Sequence, residues 1–505
     1  MLNSSMQGHH CILIAVVLTL LFTASYFQFY TAQVVSGRAI EVESNVPAPG
    51  NEEMVFDLPL PAVLPEVTES QKAALYPPTV NACDQVDIEW LASDRVYWDG
   101  WTTKSMFISA NGSFTTKDVH ITEDTSVCVV VLLGPIPAKS SIRPEKHYGP
   151  ADSILMTAAG NKTRIAVNLQ QHAKQTNAYY ASVYFANADQ YRLEAFTEHR
   201  SYFWETPIYH AYRPFPFVSQ NRLIVRKAPK GSPVACDLAH LEQVQGSWVL
   251  SKTGRYDFKT DQCQMAEMDP QLLQAKSIHV WGDSNIQRNL KALSLGDAWC
   301  NYGESRCLCH DDDDSESLTR YPWSVDPSTP LKLNNTLHGN IDIHYQSIGP
   351  ITLRDVRSEV RRQADKLPAA DLVIISIGNG DIPLSRLTSR QFAQASFDLL
   401  NYMLDQIYPY QTIVLRTPQF FGHGTLFSTS WNAARSSAFA TVIRDFVASW
   451  KGSRNIVLWD TQKLGVEPNH CTSLGTVHSR RNVVDVENKL LLNLLYNTKL
   501  TLSSS

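Results

Sequence analysis

The chain has 505 residues, 44% of them hydrophobic, which at about 100–200 residues per domain is enough for two or three domains with sizeable cores. Its net charge of -5 leaves no basic footprint. Nucleic acid is therefore not an expected partner, because phosphate binding depends on clustered Lys and Arg.

Residues 11–30 hold no charged side chain, and 12–22 are almost wholly aliphatic, close to the ~20 residues needed to cross a bilayer. Residues 1–10 lack the Lys or Arg of a secretory leader, and the apolar stretch exceeds the usual ~7–15. This favours a signal anchor, with 1–10 as a cytoplasmic tail, over the rival cleaved signal peptide. Residues 31–78 carry Pro and Glu with no steady apolar period, as a stem between membrane and body would.

Of nine cysteines, setting Cys11 aside leaves eight: Cys83, Cys128, Cys236, Cys263, Cys300, Cys307, Cys309 and Cys471. An even number fits disulfides formed in an oxidising lumen. Asn111-Gly-Ser, Asn161-Lys-Thr and Asn334-Asn-Thr are glycosylation acceptors if the body is lumenal.

Between 79 and 228 short alternating segments follow one another at 105–108, 126–133, 164–169, 179–185 and 191–196. Alternation broken by turn residues predicts a β-sandwich, which Cys83 and Cys128 could pin. It holds no catalytic constellation and is expected to pack or to recognise. Residues 229–505 form the second expected domain. It opens on 236–263, where a Cys236–Cys263 disulfide could brace the entry, though spacing does not fix connectivity.

The stretch Ser277-Ile-His-Val-Trp281-Gly282-Asp283-Ser284 is spelled as strand, turn and nucleophile, and Asn289, Leu290 and Leu293 then start a helical spacing. Such a turn lifts a serine hydroxyl to the carboxyl end of a sheet. Strands follow at 341–346, 372–377, 412–416 and 455–459, with helices at 353–366, 389–407, 430–450 and 481–496, so a parallel α/β sheet is predicted. The insertion 297–339 carries Asp311 to Asp314, which lacks the spacing of a calcium loop, and Cys307-Leu-Cys309-His310, which lacks the second ligand pair of a structural zinc site. No metal is expected.

Gly349, Asn379 and Asp460 follow the strands at 341–346, 372–377 and 455–459, and His478 precedes the last helix. A serine esterase needs a base, an acid to hold it, and donors for the oxyanion, and this set offers all of them. The order Gly-Asp-Ser, Gly, Asn, His resembles the SGNH (GDSL-type) hydrolase superfamily. More narrowly the chain resembles the PC-esterase branch, which includes the NXPE family (neurexophilin and PC-esterase domain) and plant trichome-birefringence-like proteins. The matching text is Gly246-Ser-Trp-Val249, Gly282-Asp-Ser284 with Arg288-Asn289, Ile375-Ser-Ile-Gly378, Ile413-Val-Leu-Arg-Thr417 and Val477-His478. The region before it resembles the filamin/immunoglobulin-like module of the NXPE group.

The resemblance implies Ser284 as nucleophile, His478 as base, and an oxyanion hole of Ser284 N–H, Gly349 N–H and the Asn379 side chain, with Asp283 holding the turn and Arg288 in support. Two departures stand out: Gln287 replaces the Arg usual three residues after the serine, and Gly475 stands where an Asp three before the histidine would be. Asp460 is the substitute acid, with Asp485 and Glu487 as rivals, and His470 is the rival base. The implied protein is a single-pass type II membrane protein of the Golgi or another secretory membrane. It would transfer acetyl groups to a glycan through an acetyl-serine, with acetyl-CoA or another acetyl ester as co-substrate and no bound cofactor. Alternatives are an O-acetylesterase with the same residues and an inactive glycan-binding or scaffold protein.

Overall fold

The computed structural model describes residues 81–84, 86–87, 104–109, 111–133, 152–172, 178–199, 215–229, 236, 245–254, 256–261, 263–266, 273, 275–299, 329–335, 339–384, 387–420, 432–452, 455–465 and 481–497. All lie within one compact unit, Ala62–Ser505. The anchor, the tail and the whole stem fall outside the described residues, as do His470, His478, Cys300, Cys307, Cys309, Cys471 and the Asp311–314 run. Among the described residues no helix is long and apolar enough to cross a membrane.

The front of the chain is built from strands β1 (Lys104–Phe107), β2 (Val119–Thr122), β3 (Thr125–Leu132), β4 (Ser153–Ala159), β5 (Thr163–Ala166), β6 (Gln170–Gln171), β7 (Ala178–Phe185), β8 (Gln190–His199), β9 (Phe215–Val218), β10 (Leu223–Arg226), β11 (Gly246–Leu250) and β12 (Tyr256–Thr260). They make a four-stranded sheet, β1-β3-β7-β6, and an eight-stranded sheet, β12-β11-β5-β4-β8-β10-β2 with β9 on β8. Alternate residues of both sheets share one apolar core: Val127, Val129, Val131, Val183 and Phe185 from one, Ile154, Met156, Leu193 and Ala195 from the other. Cys83 and Cys128 are joined, tying the segment before β1 to β3, and Cys236 is joined to Cys263.

The boundary expected at 228/229 runs through this layer. Strand β11 pairs with β5, Trp248 opposite Arg164, so the 246–260 hairpin extends the front sheet. The local pattern of 246–250 shows a strand but not its partner, and the partner is more than 80 residues away in sequence order, as the register of Trp248 with Arg164 shows.

The second region is a six-stranded sheet, β14-β15-β13-β16-β17-β18, made of β13 (Ser277–Gly282), β14 (Leu331–Asn335), β15 (Gly339–Ser347), β16 (Leu372–Ser376), β17 (Thr412–Arg416) and β18 (Ile456–Trp459). All pairings are parallel except that of β14, which lies antiparallel on β15 at the sheet's edge. Helices α1 (Ser284–Leu295), α2 (Arg357–Ala364), α3 (Ser389–Tyr402), α4 (Ala433–Ser449) and α5 (Arg481–Asn497) connect and cover it. Because both faces are covered, the strands read as nearly unbroken apolar runs such as Leu-Val-Ile-Ile in β16. Trp281, Val373, Ile375 and Leu415 pack with α3 and α4, while Val280, Ile374 and Val414 pack on the other face with α1 and α5.

In chain order the five parallel strands β13, β15, β16, β17, β18 lie as 2-1-3-4-5. The order reverses at β13, and a ligand crevice is expected outside the carboxyl ends of the strands at such a switch point.

Candidate active site

Ser284 is the first residue of α1, directly beyond the central strand β13, and its side chain is exposed. The turn requires glycine at 282: a Cβ there would stand 2.7 Å from Ile286 Cγ2 and 3.0 Å from the Ser376 carbonyl oxygen. Asp283 caps the helix, its Oδ1 accepting from Asn285 N at 2.9 Å. The cap leaves the Ser284 N–H among the amides of a helix N-terminus, where partial positive charge gathers.

Sheet register brings the other two residues alongside. Gly282 pairs with Ser347, so Ser284 and Gly349 each lie two residues past a paired position. Trp281 pairs with Ile375, which puts the 378–381 turn at the same level on the other side. Gly378 has φ +105, and a side chain there would meet Phe392 and Pro418, both at 2.8 Å, so the bend after β16 excludes other residues. A Cβ on Gly349 would meet nothing within 4 Å, so its backbone borders open space.

Asp381 clasps the two flanking turns together. One carboxylate oxygen accepts from Ile351 N at 3.2 Å, the other from Thr352 N at 3.0 Å and from Thr352 Oγ1 at 2.7 Å. Burial pushes the carboxyl up to about 6, while these hydrogen bonds lower it and the charge of Asp283 raises it further. Tyr345 Oη and Ile348 N both donate to the Gly282 carbonyl, at 3.0 and 2.8 Å, and fix β15 to the 282–284 turn.

Asn379 is 5% exposed. Its Oδ1 accepts from Gln419 N at 3.0 Å, and since an amide N–H only donates, this contact fixes which end of the side chain is oxygen. Its Nδ2 has no acceptor among the described residues. A buried donor left this way costs about 1–3 kcal/mol unless a ligand supplies the oxygen.

Asp460 directly follows β18, at the same edge of the sheet, and is 4% exposed. Arg444 grips it with both ends of its guanidinium, Nε to Oδ2 and Nη2 to Oδ1, each at 2.9 Å, and Thr417 Oγ1 donates at 3.2 Å. Burial raises its pKa, but the Arg444 charge and hydrogen bonds outweigh that and hold the carboxyl below its ordinary value. Of the rivals, Glu487 is engaged in the core: Arg416 Nη2 donates to Oε1 at 2.9 Å and Asn289 Nδ2 to Oε2 at 3.0 Å. Asp485 is half exposed and faces Arg481 on its own helix at 3.7 Å.

Arg288 is 3% exposed and stands over the Trp299 ring at 5.3 Å, so it braces α1 against the residues that follow it. Asn289 ties α1 to α5, donating to Glu487 and Asn488 while Asn488 donates back to its carbonyl. The sequence pattern missed Asp381, although it sits in the noted Gly-Asn-Gly-Asp turn, and it missed the Arg416–Glu487 pair, whose members are 71 residues apart. Asn111, Asn161 and Asn334 are all exposed, as carbohydrate attachment requires.

Ser284, Gly349 and Asn379 thus lie just past the ends of three adjacent parallel strands, around the switch point. An exposed hydroxyl, backbone amides and a side-chain N–H without an acceptor are the parts needed to hold a carbonyl oxygen as it gains charge.

No protein-family model matches the chain, and no curated protein matches it. Among solved structures it is similar to an acetyl esterase at 13% identity, covering 44% of this chain and 99% of that one, with a TM-score of 0.26. A protein from Parabacteroides merdae described as a GDSL-like lipase is 17% identical over 44% of this chain and 95% of that one, also at 0.26. A family two carbohydrate esterase from Clostridium thermocellum, in complex with cellohexaose, is 12% identical over 75% of this chain and 93% of that one, at 0.27. Scores of this size do not establish a shared fold.

Proposed function

We propose that this chain is a serine-dependent acyl-ester enzyme of the SGNH type that transfers acetyl groups to a glycan. The observation that carries the proposal is an exposed Ser284 at a helix N-terminus beyond β13, next to the end of β16 that bears Asn379, whose buried Nδ2 has no acceptor among the described residues. Ser284 Oγ attacks the acetyl carbonyl carbon as its proton passes to His478. The tetrahedral oxyanion is held by the N–H groups of Ser284 and Gly349 and by Asn379, and the leaving oxygen departs with the proton. A sugar hydroxyl then takes the acetyl group from Ser284 by the same steps in reverse. An oriented acceptor outcompetes water because effective molarities reach about 10⁵–10⁸ M.

The proposal includes the type II anchor, the stem and a Golgi or other lumenal setting, with acetyl-CoA or another acetyl ester as donor and the front sheets as a filamin/immunoglobulin-like module. It also includes Asp460, Asp485 or Glu487 as the acid that orients His478. The engagement of Asp460 with Arg444 and of Glu487 with Arg416 makes either of them a shared rather than a dedicated partner.

Two measurements test it. A fluorophosphonate probe should label Ser284, with labelling absent in Ser284→Ala; an unlabelled wild-type chain defeats the enzymatic reading. Incubation with an acetyl donor and a panel of glycans should give acetylated sugar by mass spectrometry. Free acetate with no acetylated glycan for any acceptor would assign hydrolysis instead.

A further inference from the structure

Two contacts cross from the front sheets to the N-terminus of α4. Glu198, on β8 and 8% exposed, accepts from Ala433 N at 2.8 Å. Ser153, on β4 and fully buried, accepts from Ala434 N at 3.0 Å and donates to Glu198 Oε2 at 2.7 Å. The first amides of a helix have no partner within it, and α4 draws two of its partners from another layer of the molecule. Its own N-cap, Asn432, supplies a third by accepting from Arg435 N at 2.9 Å.

The next residue of that turn leads to the site. Arg435 is fully buried, and its Nε and Nη2 donate to the carbonyls of Ile382 and Leu384, each at 2.7 Å, with the guanidinium over the Phe439 ring at 5.1 Å. Burial brings its pKa down to about 9, and the charge of Asp381 works against that fall. Residues 382 and 384 continue the 378–381 turn that bears Asn379 and Asp381. A fixed path therefore runs from β4 and β8 through the first turn of α4 to the side chain that lacks an acceptor.

We propose that Arg435 is a positioning residue for Asn379, and that Glu198 and Ser153 of the front sheets set Arg435 in place by capping α4, so that the front layer governs the geometry of the acyl-transfer site. This rests on the acyl-transfer reading above. It gives the front sheets a part in turnover that needs no contact with substrate. The effect falls on the transition state, because Asn379 Nδ2 must meet the oxygen where charge develops and a misplacement of about 1 Å can cost about 10²-fold in rate.

The test compares the full chain with Arg435→Lys, Glu198→Ala, Glu198→Gln and Asn379→Ala, using turnover of p-nitrophenyl acetate and amide hydrogen exchange of the 376–384 segment. Arg435→Lys and Glu198→Ala are expected to lower kcat by about 10²-fold at unchanged KM and to speed exchange in 376–384, with the melting transition retained. Glu198→Gln keeps an oxygen for Ala433 N and is expected to restore the wild-type behaviour. Combining Arg435→Lys with Asn379→Ala should lower kcat no further than Asn379→Ala alone, since residues acting through one group are not additive. Multiplying effects, or exchange in 376–384 unchanged in Glu198→Ala, would overturn the proposal. Should Arg435→Lys fail to fold, Glu198→Ala and its Gln rescue decide the matter. Absent Ser284-dependent turnover in the wild type would defeat the acyl-transfer reading instead, and exchange alone would then judge the path.

Discussion

Asn221 in the front sheets and Asn379 at the end of β16 are almost equally buried, at 3% and 5% exposure. Asn221 commits its whole amide to the fold: Oδ1 accepts from Phe107 N, and Nδ2 donates to the carbonyls of Phe107 and Thr115, at 2.9, 2.8 and 2.9 Å. Among the described residues Asn379 commits only its oxygen, to Gln419 N. Depth is the same and satisfaction differs. Among the described residues Asn221 has both ends of its amide satisfied, whereas Asn379 leaves Nδ2 without an acceptor, at a cost in stability.

The sharpest way to break this comparison is to truncate both. Asn379→Ala should lower kcat by about 10²–10³, as loss of one oxyanion donor does. Asn221→Ala should leave kcat per folded molecule unchanged and lower stability by about 1–3 kcal/mol for each group left unsatisfied. Urea unfolding alongside kinetics checks this, and comparable rate losses in both variants would remove the distinction.

Next in size is the fully buried pair Arg416–Glu487, with exposures of 0% and 1%. Arg416→Ala leaves a charge uncompensated beneath α5, and a loss of about 3–5 kcal/mol is expected in the same assay. A loss under about 1 kcal/mol would mean that the pair is hydrated and belongs with exposed ion pairs.

In the front layer the Cys83–Cys128 link closes a separation of 45 residues. Replacing both with Ser should cost about 4 kcal/mol by the loop-entropy relation, read as a fall in the urea midpoint. Equal midpoints before and after would show that the front sheets hold without it.

The smallest effect is a pH dependence. Burial raises Glu198 from 4.5 to about 7, against the hydrogen bonds from Ala433 and Ser153 that lower it. The folded state thus binds this proton more tightly than the unfolded chain, so the contribution is complete below pH 4.5 and is lost as pH rises through about 7. The difference in stability between wild type and Glu198→Gln should move by at most about 3 kcal/mol across that window. A difference independent of pH would place the Glu198 titration elsewhere.

Much of the parallel sheet was legible because its information is local. Apolar runs mark fully covered strands, and 412–416 is read to the residue. Helix ends are less so: α2 starts at Arg357 rather than 353, where Leu353 is 66% exposed and belongs to the turn that Asp381 holds. What the sequence hid is pairing across distance. Nothing around 246 announces that β11 will lie on β5, nothing in Asp460 announces Arg444, and nothing in Glu198 announces a helix 235 residues later. The turn at 282–284 was legible because glycine, aspartate and serine each answer a constraint within four residues. The clasp and the path from the front sheets answer constraints between elements.

Strand β14 closes the six-stranded sheet on one side, and among the described residues its outer row of N–H and C=O groups has no further strand to meet. An open row of this kind invites pairing with another chain. Asn334 lies on that strand with its side chain exposed, opposite Asn340. A carbohydrate there would stand as a bulky, hydrated guard along the border, so its worth would be colloidal rather than catalytic. Asn334→Gln should then leave turnover intact and show itself as aggregates in light scattering, forming as the chain is concentrated.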